Sequence, residues 1–139
     1  INVFSYYQAH NLKTRYICLI HNQLINLGNH TLIALYTPGH FIDSICLWNK
    51  EENQLFTGDT MFVGRTGRTI SKESNIKDLY NSTYDIILKL PLKTIIYPGH
   101  HYGYKKNIIL NDNIKLSKFF QCKSFKDFIL VMQNYEKSR

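Results

Sequence analysis

Three times in this chain an apolar run climbs into a glycine and is followed at once by a residue that binds metals well. "LYTPGH" ends on His40, "LFTGD" on Asp59 and "TIIYPGH" on His100. This recurrence constrains the fold more than any other feature. A strand holds the residue at its tip rigidly, and glycine there lets the backbone turn and neighbouring loops approach. Two imidazoles and one carboxylate suit zinc, iron or manganese. A single PGH or TGD is a common turn, but the set of three in one short chain points to a metal site.

The elements around these tips have a readable order. "RYICLI" (15–20) and "HTLIALY" (30–36) read as strands separated by the turn signal "NLGN". "SICLW" (44–48) and "QLFTG" (54–58) flank the polar "NKEEN" and read as a hairpin. The glycine-spaced "FVGRTGR" (62–68) is expected to be a loop. From Ser74 to Leu90, Ile76, Leu79, Tyr80, Thr83, Ile86, Ile87 and Leu90 recur at helical spacing, and Pro91 ends the run. "KTIIYP" (93–98) returns to strand character. A second helix is expected over 124–137, capped by Ser124 with Asp127 three residues on, its apolar face built from Phe125, Phe128, Ile129 and Met132. The pattern predicts one mixed α/β domain.

With 139 residues the chain can bury one real core. No apolar run approaches the ~20 residues of a membrane span, and no signal peptide is evident. The net charge of +7 comes mostly from lysines spread along the sequence, dense only at Lys105-Lys106 and between Lys115 and Lys126. Neither nucleic acid nor a membrane surface is therefore the expected partner; a small molecule is. Cys18, Cys46 and Cys122 form no CxxC pair, and Cys18 and Cys46 lie in apolar runs, where cysteine acts as a small hydrophobe. This predicts a reducing, cytoplasmic setting. His10, His21 and His30 stand alone and are expected to be turn or surface residues.

The run "TPGHFIDSICLWNKEENQLFTGDTMFVGRTGR", followed by a helix and "TIIYPGHHYG", resembles the C-terminal half of a metallo-β-lactamase-fold hydrolase over about residues 15–104. Within that superfamily it is most similar to the glyoxalase II (hydroxyacylglutathione hydrolase) and persulfide dioxygenase branch. The resemblance implies a four-layer αβ/βα sandwich that binds two divalent metal ions at one edge, zinc first, with iron or manganese as alternatives. It makes His40 a ligand of the first metal, His100 of the second, and Asp59 the catalytic bridge. A hydroxide shared by the metals would attack a thioester, which fits the lack of any G-x-S-x-G or Cys/His nucleophile.

The H-x-H-x-D-H signature of that family is missing, and the sequence starts at Ile1. Both predict a domain incomplete at its N-terminus, with the chain alone lacking part of the active site. Phe41 and Asp43 replace residues of the family's T-P-G-H-T-x-G-S, and Ile70 stands where a tyrosine is usual. Arg68 matches a basic residue near substrate anions, and Tyr102 a tyrosine that contacts substrate. His101 takes the place of a common acid. The helical extension that binds glutathione is short here, with only Lys123 and Lys126 faintly matching. Three readings remain open. The first is the dinuclear thioester hydrolase. The second is a dioxygenase whose single Fe(II) uses His40 and Asp59 but not His100. The third is a basic binding module with a vestigial site.

Overall fold

The computed structural model describes Phe4–Ser5 and residues 17–138. His10, and Arg15 and Tyr16 of the first expected strand, lie outside the described residues.

Short strands β1 (Phe4–Ser5) and β2 (Ile17–Cys18) pair in parallel. The main sheet holds β3 (Gln23–Leu27), β4 (His30–Tyr36), β5 (Ile45–Asn49), β6 (Gln54–Gly58), β9 (Ile95–Pro98) and β10 (Ile108–Ile109), in the order β10-β9-β6-β5-β4-β3. A hairpin of β7 (Met61–Phe62) and β8 (Arg65–Thr66) follows β6. Neighbours in the main sheet are antiparallel except β6 and β9, which are parallel. The chain crosses between those two through the hairpin and a helical segment, as parallel neighbours require.

That segment departs from the expected single α-helix. Helix α1 (Ile76–Asn81) passes into a π-helical turn (Ser82–Ile86) and then a 3₁₀ turn (Ile87–Lys89) before Pro91. The wider turn places Ser82 and Thr83 inside, both buried, in keeping with the local role of such bulges. Helix α2 (Leu110–Leu116) and helix α3 (Phe125–Lys137) complete the chain. The Ser124 cap is as expected: its Oγ accepts the Asp127 N–H at 3.2 Å.

Several other expectations change. The stretch 62–68 holds the β7–β8 hairpin and is not an open loop. The turn at Gly28-Asn29 joins β3 to β4, so a further strand, β3, lies between the two expected at 15–20 and 30–36. Cys18 is exposed and is no core residue, whereas Cys46 is fully buried.

Cross-strand partners share a face of a sheet. On one face Leu35, Cys46, Leu55, Ile96 and Ile108 pack under Leu79, Ile87, Phe128 and Met132 of the helical layer. Both Phe128 and Leu79 are completely buried. The opposite face is also apolar: Ala34, Leu47, Phe56 and Tyr97 align across four strands. Phe56, Leu27 and Ile109 on this second face stand exposed.

Candidate metal centre

The topology explains why the three glycine tips meet. Strand β5 is antiparallel to both β4 and β6, and β9 is parallel to β6. Hence β4, β6 and β9 all point the same way and deliver His40, Asp59 and His100 to one sheet edge. At about 4.8 Å per strand, the β6 and β9 tips lie one spacing apart and those of β4 and β6 two.

The side chains close those gaps through Asp59. Its Oδ1 lies 2.7 Å from His100 Nδ1, and its Oδ2 lies 3.8 Å from His40 Nε2. Each carboxylate oxygen thus addresses a different imidazole. The His40 Nδ1 is 2.8 Å from the Arg68 carbonyl. With the proton on Nδ1, that nitrogen donates to the carbonyl and Nε2 is left as the electron-pair donor, the arrangement that orients metal-binding histidines. Tyr102 stacks on the His100 ring, with centroids 5.3 Å apart and planes 18° from parallel.

Glycine is needed here for close approach. A Cβ at Gly67 would strike the Asp59 carbonyl and press on the His40 ring. One at Gly99 would stand 3.0 Å from Asp59 Oδ1. The His40 loop is held from the helical side as well. The Asn75 N–H donates to the Gly39 carbonyl at 2.8 Å, and Ser82 Oγ donates to the Pro38 carbonyl at 2.7 Å. The π-helical turn that buries Ser82 therefore fixes a tip of the candidate site.

Beneath the tips lies a small buried polar layer. Thr37 Oγ1 is 3.3 Å from Cys46 Sγ and 3.4 Å from Thr60 Oγ1, and Thr57 Oγ1 donates to the Met61 carbonyl at 2.6 Å. Burial pushes the Cys46 thiol up to about 12, despite hydrogen bonds from Thr37 and Thr60 that act the other way. Such a thiol stays protonated near neutrality and is no nucleophile.

A cavity of about 100 Å³ opens beside Asp59, lined by His40, Phe62, Arg65, Arg68 and Tyr102 among others. His100 is not part of this lining. Arg68 is exposed, and its backbone, through the His40 contact, is as much involved as its side chain. His101 is exposed. His21 and His30 are both exposed, with His21 Nδ1 accepting the Tyr36 N–H at 3.0 Å.

Two residues of this region were missed in the sequence. Arg65 lies within 4.6 Å of the Tyr102 ring centroid, a position that no local pattern announces. Asn113 of α2 is fully buried; its Oδ1 accepts the Gly64 N–H at 2.7 Å and its Nδ2 donates to the Phe62 carbonyl at 2.9 Å. It bolts the β7–β8 turn to the helix. In "LNDNIKL" it is one asparagine of two, and only the tertiary fold distinguishes it.

Among the described residues, no three His, Cys, Asp or Glu side chains gather tightly enough to cage a metal by themselves. The trio is a partial donor set joined through Asp59. Its chemistry still fits a divalent metal, because an oriented imidazole Nε2, a second imidazole and a two-sided carboxylate are typical borderline donors.

Comparison with known proteins then places the chain. The profile of the Metallo-beta-lactamase superfamily matches residues 12–100. The chain belongs to this superfamily. Hydroxyacylglutathione hydrolase of Dictyostelium discoideum is 34% identical over 118 residues, covering 76% of this chain and 43% of that protein. The probable polyketide biosynthesis zinc-dependent hydrolase BaeB of Bacillus velezensis is 28% identical over 126 residues, 91% of this chain and 53% of its own length. The crystal structure of ETHE1 from Myxococcus xanthus superposes with a TM-score of 0.83 at 28% identity, over 96% of this chain and 57% of that one. These matches fit the glyoxalase II and persulfide dioxygenase-like branch of the superfamily, and the mixed α/β sheet is that of its structural neighbours. The chain spans about half the length of the relatives it matches. No helix among the described residues is long and apolar enough to cross a membrane.

Proposed function

We propose that this chain forms part of a metal-dependent hydrolase that cleaves a thioester of the hydroxyacylglutathione type. The observation that carries the reading is Asp59 set between two imidazoles at one sheet edge, one oxygen towards each. His40, through Nε2, and Asp59 would hold one divalent metal, and His100 and Asp59 a second. When bound, such metals supply Lewis acidity that polarises a carbonyl and acidifies water. The chain's own residues do the rest. The Arg68 carbonyl fixes the tautomer of His40, and Gly67 and Gly99 let Asp59 approach both histidines. Phe62 and Tyr102 line the cavity beside Asp59. The buried, protonated Cys46 takes no part.

One observation favours a second reading, a persulfide dioxygenase-like enzyme with a single Fe(II). His40 and Asp59 line the cavity, and His100 does not. Elemental analysis separates the two, performed on this chain and on a version that carries the rest of a relative-length domain. Two zinc-like ions together with thioester cleavage support the hydrolase, and one iron supports the dioxygenase. No metal in either form sinks both.

A further inference from the structure

Asp59 is the pivot of the candidate centre, because one carboxylate faces two imidazoles. A rotation that brings Oδ1 closer to His100 carries Oδ2 away from His40, so the turn that bears Asp59 has to be held still. Its backbone alone does not do this. Gly58 precedes Asp59 with φ +50°, and glycine has more backbone freedom to lose than any other residue.

Thr57 supplies the hold. Between Phe56 and Gly58 the pairing of β6 with β9 loses register, so Thr57 sits at a bulge, an irregularity that re-aims side chains beside functional sites. Its side chain is fully buried. Its Oγ1 donates to the Met61 carbonyl at 2.6 Å, and its own carbonyl accepts the Thr60 N–H at 3.0 Å. These bonds close residues 57–61 into a turn with Asp59 at its centre. The Tyr97 carbonyl, 3.5 Å from the same hydroxyl, is too far to compete for its single proton. The turn is also tied to its neighbours. The Gly58 carbonyl accepts the Gly99 N–H at 2.8 Å, next to the His100 tip. The Cys46 thiol reaches the Thr57 carbonyl at 3.7 Å and Thr37 Oγ1 at 3.3 Å, which extends the tie towards His40. Valine has the shape of threonine without a polar atom to bury, so what distinguishes threonine here is the bond to Met61.

We propose that Thr57 is a positioning residue of the candidate metal centre. Its buried hydroxyl locks the 57–61 turn so that Asp59 keeps one oxygen towards each histidine. This rests on the metal role given above to Asp59 and adds the side chain that aims it. Thr57 acts through Asp59 and touches no reacting atom.

Two measurements test this, and the first needs no metal. In the isotope-labelled chain the imidazole nitrogens are followed by NMR at mildly alkaline pH. The hydrogen bond between Asp59 Oδ1 and His100 Nδ1 fixes the proton on that nitrogen. Thr57→Val should move the His100 proton towards Nε2, whereas Thr57→Ser, which keeps the hydroxyl, should hold the parental signals. Thr94→Val is the control. Thr94 is equally buried, at the end of β9 away from His100, and among the described residues its hydroxyl has no hydrogen-bond partner. It should change neither reading; a matching change there overturns the proposal. The second measurement is zinc affinity in the relative-length protein, by competition with a chromophoric chelator. Thr57→Val should weaken it by about tenfold or more, as the loss of a group that orients a ligand does, and Thr57→Ser should restore it. Parental imidazole signals or parental zinc affinity in Thr57→Val overturn the proposal, and so does a Thr57→Ser protein that behaves like Thr57→Val. If Thr57→Val loses its dispersed spectrum, Thr57→Ser and Thr57→Ala decide, since they differ only in the hydroxyl; equal signals in the two overturn the assignment. A displaced His100 proton in Thr57→Val, when the parent binds no zinc, sinks the metal reading and leaves the hold of Thr57 on Asp59 standing.

Discussion

Replacing Asn113 by alanine tests how the fold supports the site. The substitution removes the acceptor for the Gly64 N–H and the donor to the Phe62 carbonyl. The Phe62 contact is buried and the Gly64 contact partly so. An abandoned buried partner costs roughly 1–3 kcal/mol, and the less buried Gly64 group sits at the low end of that range. A vacated side-chain volume adds roughly another 1 kcal/mol. The sum is roughly 3–5 kcal/mol, a large share of the ~5–15 kcal/mol that stabilises a typical domain. Urea denaturation followed by circular dichroism is the assay. With a slope of ~1–3 kcal/mol per molar urea, the midpoint should fall by roughly 1–5 M. Asn113→Asp keeps an acceptor for Gly64 but no donor for Phe62, and it should be destabilised as well. A midpoint shift under about 0.5 M in Asn113→Ala would show that the β7–β8 turn holds its shape unaided, and the bolt would be refuted.

Other consequences can be measured directly. The Cys46 thiol has a folded pKa raised by burial to about 12 from its ordinary 9.0, so its contribution to stability is complete below pH 9 and is lost as pH rises towards 12. Stability should fall at up to about 1.4 kcal/mol per pH unit across that window, and Cys46→Ala should flatten the slope; an unchanged slope contradicts the assignment. Gly67→Ala forces a methyl group against the Asp59 carbonyl and the His40 ring. It should lower zinc affinity, read by calorimetry on the relative-length protein, by tenfold or more. In that same protein His100→Ala should cut metal content and activity to background, whereas His101→Ala should leave most of both. Comparable losses would remove the distinction drawn between the two. Phe128→Ala empties a fully buried site and should cost about 3–5 kcal/mol in the same denaturation assay.

Much of this arrangement was legible in the sequence because it is locally encoded. A glycine after an apolar run marks a strand tip, and β4 and β6 occupy the spans that their apolar runs suggest. The Ser124 cap and the spacing of Phe128 and Met132 likewise announce α3. What stayed hidden depends on partners far along the chain. Arg65 meets the rings of Tyr102 and Tyr135, and Asn113 acquires its role from a turn some fifty residues away. The π-helical turn was masked because Thr83 and Ile86 still fit a helical stripe, although Ser82 needed to turn inward to reach Pro38. Strand β10 has two residues, too few for any period to show.

The second apolar face of the sheet has a practical consequence for handling the molecule. Phe56, Leu27 and Ile109 meet solvent on a surface composed like an interior layer. With a net charge of +7, long-range repulsion keeps molecules apart at low ionic strength, but salt shortens that repulsion to within about 10 Å at 0.1 M. Beyond that point short-range adhesion between these faces governs. The solubility of the isolated chain should therefore be set by salt, falling as salt is added, and its stock solutions are best kept dilute and at low ionic strength.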